Sequence, residues 1–110
     1  MLSKIPYITP FQNSIYSLLK KIPRGKITTY KVMAEKLGIK AYRAVGLACK
    51  KNPYAPEIPC HRVVCSDGKL GGYSGIGGLA GKIKLLENEG VKIRKNKIEN
   101  FERVLWKGLL

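Results

Sequence analysis

The stretch Ile27-Thr28-Thr29-Tyr30-Lys31-Val32-Met33-Ala34-Glu35-Lys36-Leu37-Gly38, with the run from Ala41 to about Lys51 that follows it, decides the fold. A threonine oxygen can accept from the free N–H groups of a first helical turn, and Val32, Met33, Ala34 and Leu37 then recur at helical spacing until Gly38 supplies a stop. Ala41 to about Lys51 reads as a second helix after a short turn. Two short helices joined by a Gly-containing turn suggest a helix-turn-helix, although many helical cores contain such a pair. Ala44, Gly46 and Ala48 around Arg43 would let the second helix approach another surface closely, either nucleic acid or a neighbouring helix.

Upstream, Thr9-Pro10-Phe11-Gln12 has the form of a capping box with proline at the first helical position. Phe11, Ile15, Leu18, Leu19 and Ile22 form the apolar stripe of this helix, with Gln12, Asn13, Lys20 and Lys21 largely off it, and Pro23-Arg24-Gly25 ends it. Downstream, Asn52-Pro53 closes the second helix of the pair, and Tyr54-Ala55-Pro56-Glu57 leads into Ile58-Pro59-Cys60-His61-Arg62-Val63-Val64-Cys65. Pro59 fixes its own φ and keeps Ile58 extended, so the chain enters Cys60 stiffly, and the two valines suit a short buried strand. Ser66-Asp67-Gly68 has turn chemistry. The stretch Gly71-Gly72-Tyr73-Ser74-Gly75-Ile76-Gly77-Gly78 is too glycine-rich for a regular element and lacks phosphate-loop spacing, so it is expected to wall a pocket. Leu79, Ile83, Leu85 and Leu86 predict a helix ending at Glu89-Gly90, and Phe101, Val104, Leu105, Trp106 and Leu109 a short terminal helix on the core.

The 110 residues carry 21 Lys and Arg against 7 acids, a formal charge of +14 spread along the chain. Such a surface suits a polyanion, bound through counterion release, and charge alone leaves a merely solvated lysine surface equally open. No run of about twenty apolar residues could span a membrane, and the first six residues lack a secretory core, so a cytoplasmic protein without membrane association is expected. Cys49, Cys60 and Cys65 are an odd number, which argues against a disulfide framework, and with His61 as the single histidine no usual structural zinc set exists. No metal is expected.

Cys60-His61 brings the chain's lone imidazole beside a thiol, which at an ordinary pKa near ~8.5 needs a base or cation to become a nucleophile. Pro-Cys-His-Arg-Val at 59–63, preceded by Asn52-Pro53 and followed by Gly72-Tyr73-Ser74-Gly75 and Gly78-Leu79, resembles the active-site region of the O6-alkylguanine-DNA alkyltransferases, from about Thr9 to Gly90. The resemblance implies a mainly α domain with a short β element, a winged-helix-like helix-turn-helix. It also implies irreversible transfer of an alkyl group from guanine O6 in double-stranded DNA to the protein's own cysteine, without a cofactor.

On that resemblance Cys60 is the acceptor, His61 its base through a water, and Glu89 the carboxylate that orients the imidazole. Asn52 holds the active-site turn. Tyr30 contacts the target phosphate and the flipped base, Tyr73 and Ser74 bind the alkylated base and assist the leaving O6, and Val63 offers its carbonyl to the exocyclic amine. Cys49 stands where the family has an apolar pocket wall. Arg43, in the Arg-Ala-Val-Gly run with Ala44 and Gly46, fills the gap left by the flipped base from a helix in the minor groove, and Arg62 joins the DNA-contacting set.

The family's usual N-terminal domain has no counterpart here, so residues 1–110 are expected to form one catalytic and DNA-binding domain acting as a monomer. Gly75-Ile76-Gly77-Gly78 is longer than in many members, which bears on pocket width. The main alternative is a non-enzymatic alkyltransferase-like protein that binds alkylated DNA. Such proteins have usually replaced the cysteine by tryptophan, which Cys60 argues against. A cysteine hydrolase, which would regenerate its thiol, is a third class.

Overall fold

The computed structural model describes residues 7–108, and Leu109 of the expected terminal helix lies outside them. The chain builds α1 (Pro10–Leu19), β1 (Thr28–Thr29), α2 (Tyr30–Lys36), α3 (Tyr42–Lys50), a 3₁₀ turn (Cys60–Arg62) and β2 (Val63–Val64). It continues with α4 (Gly78–Asn88), β3 (Ile93–Arg94), β4 (Lys97–Ile98) and α5 (Phe101–Val104). This is the mainly α architecture with a short β element that the sequence implies.

The helix starts follow local chemistry. Thr9 accepts from the Gln12 N–H at 3.0 Å while the Gln12 side chain accepts from the Thr9 N–H at 2.9 Å, so two orphan donors are satisfied reciprocally. Thr29 caps α2 through the Val32 N–H at 3.0 Å. The expected stripe of α1 needs one correction. Gln12 is buried and Phe11 is 37% exposed, because at about 100° per residue Gln12 falls on the buried face with Ile15, Tyr16 and Leu19 while Phe11 falls at its edge, and the capping box satisfies the glutamine's amide oxygen.

The two strands of the first sheet position everything else. β1 and β2 pair in parallel, Thr28 with Val63 and Thr29 with Val64, so the residue that caps α2 is registered directly against the strand leaving the cysteine turn. Successive strand side chains point to opposite faces. Val63 therefore enters a core with α1, α2 and α3, built on Ile15, Leu19, Met33 and Val45, while Val64 enters a second core with Ile27, Leu70, Leu86, Val91 and Ile98. Trp106 packs against the first core as an anchor, and its backbone N–H donates to the Ile27 carbonyl at 2.7 Å.

The antiparallel β3–β4 hairpin turns through Lys95 and Asn96, both at positive φ, and joins the chain at a Lys69–Lys97 bridge. Gly90 at φ +88 follows α4 and lets the chain reverse, so that the Val91 N–H reaches the Leu86 carbonyl at 3.0 Å. Among the described residues no helix is long and apolar enough to cross a membrane.

Candidate active site

Asn52 fixes the approach to the cysteine turn. Its amide Nδ2 donates to the Ile58 carbonyl at 2.8 Å and its Oδ1 accepts from the Tyr54 N–H at 2.9 Å, so one buried side chain ties the end of α3 to both ends of the Pro-rich connection. The chain then closes the 3₁₀ turn, and Cys60 and His61 are left 5% and 2% exposed. Cys60 opens onto a cavity of about 480 Å³, in the range of small-molecule sites. Gly46, Cys49 and Lys50 of α3 form one wall, Gly72, Tyr73 and Ser74 of the loop another, and Tyr30 stands between them.

The loop wall is held at several points. Ser74 Oγ donates to the Lys50 carbonyl at 2.6 Å, which latches the loop to α3 across the cavity. Tyr73 meets the His61 ring edge-on, with centroids 6.4 Å apart and planes at 82°. Gly71 has φ +71, a conformation that residues with a side chain rarely adopt, so glycine is favoured where the loop passes Cys65 Sγ and the Tyr30 hydroxyl.

Behind Cys60, His61 Nε2 lies 3.0 Å from Glu89 Oε2. Arg62 grips the same carboxylate with Nε at 2.9 Å and Nη2 at 2.8 Å, and its Nη1 donates to the Ile22 carbonyl at 2.8 Å. Burial opposes ionisation of Glu89, but hydrogen bonds from Arg62 and His61 outweigh it and hold the carboxyl below its ordinary value. Burial lowers the His61 pKa, with the Arg62 and Lys82 charges acting in the same direction against the raising effect of Glu89. The contact is therefore a neutral imidazole donating Nε2–H to a carboxylate at neutral pH. The other nitrogen, Nδ1, is buried with no partner among the described residues.

The thiols differ. Burial pushes Cys60 up, while the Asn52 amide, the Lys82 charge and a backbone N–H favour its thiolate. Burial and the neighbouring Cys60 push Cys49 up to about 12, which fits an inert wall residue. Burial also raises Tyr30 and Tyr73, so both phenols keep their protons.

Two expected site residues are placed elsewhere. Arg62, expected at DNA, turns inward, because Glu89 would otherwise be a buried carboxylate without a charged partner. Val63, expected to offer its carbonyl to the base, does not line the cavity and gives that carbonyl to Lys82 Nζ at 2.8 Å. Arg43 stands exposed near the start of α3, away from the cavity lining, with Ala44 half-buried behind it.

Sequence reasoning missed Lys82. It is fully buried on α4, and its ammonium donates to the carbonyls of Val63, Leu70 and Gly72. The available signal was its place four residues before Leu86, on the helix's buried face. Among the described residues no cluster of three or more His, Cys, Asp and Glu could hold a metal.

The profile described as "6-O-methylguanine DNA methyltransferase, DNA binding domain" matches residues 10–91, which contain Cys60, His61 and Glu89. The chain belongs to this family. A methylated-DNA–protein-cysteine methyltransferase of Methanosarcina barkeri is 52% identical over 85 residues, 76% of this chain and 54% of that protein. One from Saccharolobus solfataricus is 51% identical over 84 residues, 76% and 53%. The chain thus spans about half the length of the curated relatives it matches. Among solved structures, Mycobacterium tuberculosis OGT in complex with DNA superposes with a TM-score of 0.72 at 44% identity, over 76% of this chain and 51% of that one. S. pombe Atl1 in complex with DNA containing O6-carboxymethylguanine superposes with a TM-score of 0.75 at 30% identity, over 93% and 99%. Within this methyltransferase-family chain, the β3–β4 hairpin and α5 lie beyond the matched segment.

Proposed function

We propose that this chain repairs O6-alkylguanine in double-stranded DNA by moving the alkyl group irreversibly to its own Cys60. The observation that carries the reading is a cysteine on a base-sized cavity with a His61–Glu89 pair behind it and His61 Nδ1 left to accept a proton. Nδ1, acting through a water as in the resembling family, takes the thiol proton. The sulfur then attacks the alkyl carbon, so the S–C bond forms as the O6–C bond breaks, and guanine regains one proton to balance the one the thiol lost. Tyr30 and Tyr73, protonated at the cavity wall, are suited to donate to the departing O6. The thioether has no route back, so each protein acts once and needs no cofactor.

A stacked guanine cannot reach a buried cysteine, and extrusion costs on the order of a few kcal/mol. The +14 charge supplies affinity for phosphate, and the exposed face of α3, with Tyr42, Arg43, Leu47 and Lys50, is the surface we assign to the duplex. Residues 1–110 would work as one catalytic and DNA-binding unit, as a monomer in the cytoplasm.

The test is mass spectrometry after incubation with O6-methylguanine duplex, where a gain of about 14 Da, one CH₂, is expected on the peptide containing Cys60. A second reading, lesion binding without transfer, is favoured by the near-complete mutual coverage with Atl1. Folded protein that binds the duplex and gains no adduct would establish that second reading instead.

A further inference from the structure

The β3–β4 hairpin lies outside the matched segment, and its two faces have opposite characters. Side chains alternate along a strand, so Ile93 and its partner Ile98 turn toward the second core while Arg94 and its partner Lys97 turn to solvent. An antiparallel bridge between Lys97 and Lys69 carries the register one segment further. Arg94, Lys97 and Lys69 therefore stand in one exposed row across three neighbouring extended segments, spaced at about 4.8 Å.

Like charges placed directly opposite one another destabilise a sheet, and here little within the chain offsets the cost. Among the described residues no ion pair includes Arg94 or Lys97, and Lys69 has only Asp67 at 3.8 Å, an exposed contact of small worth. Lys95, at φ 52 in the turn, adds a fourth cation. A groove of about 230 Å³ has Lys69, Lys95 and Lys97 in its lining and no acid. The arrangement suits a partner that brings negative charge at several points along a line.

We propose that this row is a second duplex-binding surface, separate from α3, that holds phosphates flanking the extruded nucleotide. A single phosphate answers one or two of these cations, whereas duplex DNA carries one negative charge per about 1.7 Å of axis and can answer them all. The row is also close to the chemistry. Lys69 stands three residues before Gly72, at most about 11 Å of chain, and Gly72 walls the cavity onto which Cys60 opens. The Lys69 carbonyl accepts from the Cys65 N–H at 2.9 Å, and the Leu70 N–H donates to the Asn96 carbonyl at 3.2 Å, so backbone bonds join the hairpin to the segment that leads into the cavity wall. The inference rests on the duplex as partner and not on alkyl transfer.

Lysine acylation reads the contact directly and needs no variant. The full chain is treated with an N-hydroxysuccinimide ester of acetate, free and bound to an O6-methylguanine duplex at low salt, and the peptides carrying Lys69, Lys95 and Lys97 are quantified by mass spectrometry. These lysines are expected to react severalfold more slowly in the complex. Undiminished acylation in protein that binds the duplex overturns the proposal and leaves the α3 surface standing. Protection by polyglutamate but not by duplex overturns it too, and assigns the row to an acidic protein.

Affinity supplies the second readout. In the triple variant Lys69→Gln, Arg94→Gln, Lys97→Gln, the slope of log Kd against log salt is expected to become shallower by about 2 to 3, since each neutralised phosphate contributes about 0.9. The replaced side chains are exposed and repel one another, so the free variant should melt at or above the wild-type temperature. An unchanged slope overturns the proposal. So does the same loss per charge when the exposed pair Lys20 and Lys21 is replaced by glutamine, because net charge alone would then explain it. Protection of the row in protein that gains no adduct supports this surface and removes only the transfer reading, whereas protein that binds no duplex removes both.

Discussion

His61 and Glu89 meet through a single nitrogen and a single oxygen, Nε2 and Oε2 at 3.0 Å, and this pairing fixes which side of the ring can act as a base. A carboxylate only accepts, so Nε2 keeps the proton and Nδ1 carries the lone pair. Glu89→Gln weakens the preference because an amide can donate as well as accept. We expect transfer from O6-methylguanine DNA to slow by on the order of 100-fold at pH 7, the lower end of a general base's contribution, with affinity for the duplex retained. Single-turnover rates at saturating DNA measure this; a wild-type rate would remove Glu89 from the reaction.

The same pair predicts how acid acts on the fold. The Glu89 pKa is lowered in the folded state, so its contribution to stability is complete above the ordinary value of 4.5 and is lost as pH falls through the lowered one. The His61 pKa is also lowered, so the unfolded chain takes up a proton near 6.5 that the folded chain resists, and stability starts to decline there. Thermal melts should fall in two stages as pH drops, below about 6.5 and again below about 4.5. In Glu89→Gln the second stage should shrink. A wild-type melting temperature flat from pH 7 to 4 would contradict both assignments.

Asn52 makes two hydrogen bonds from one buried amide, to Ile58 and Tyr54. Asn52→Ala leaves a buried carbonyl and an N–H unpaired, and a loss of about 1–3 kcal/mol in denaturant unfolding is expected. Because the same bonds lead the chain into Cys60, the transfer rate should fall even below the melting temperature. Normal transfer with normal stability would show the connection to be held by other contacts.

What could be read in the sequence was mostly what is local. The Thr9–Gln12 box, the Thr29 cap and the reversal at Gly90 are each decided within a few residues of chain, and the structure has them where the pattern puts them. The Thr28–Val63 pairing joins distant segments through backbone bonds, so no local pattern announces its register. Gln12, Arg62 and Lys82 share another cause. Each is a polar side chain that residue type assigns to solvent, and each is buried or half-buried because a particular set of acceptors or donors waits for it inside. The family resemblance supplied Cys60, His61 and Glu89 as a set, whereas spacing alone gave no reason to join residue 89 to residue 61.

The inward turn of Arg62 separates it from the exposed arginine of α3. Arg62→Gln removes the charged partner of a buried carboxylate, so it should cost about 3–5 kcal/mol of stability while leaving the salt dependence of DNA binding unchanged. A shallower dependence of affinity on salt, by about one contact, would instead return Arg62 to the phosphate backbone.

Arg43→Ala should behave in the opposite way. The side chain is exposed, so stability should change little, and its proposed work is to occupy the space vacated by the flipped base. Repair in duplex DNA should slow far more than reaction with free O6-benzylguanine, which needs no flipping, because the wedge offsets part of an unstacking cost of a few kcal/mol. A cation that only met phosphate would instead weaken binding across sequences and be rescued by lower salt or more protein. Both substrates should therefore be measured for wild type and variant, at saturating DNA and two salt concentrations. Equal slowing of both would mean a damaged cavity, and full rescue at low salt a phosphate contact; either result would take the flipping role from Arg43.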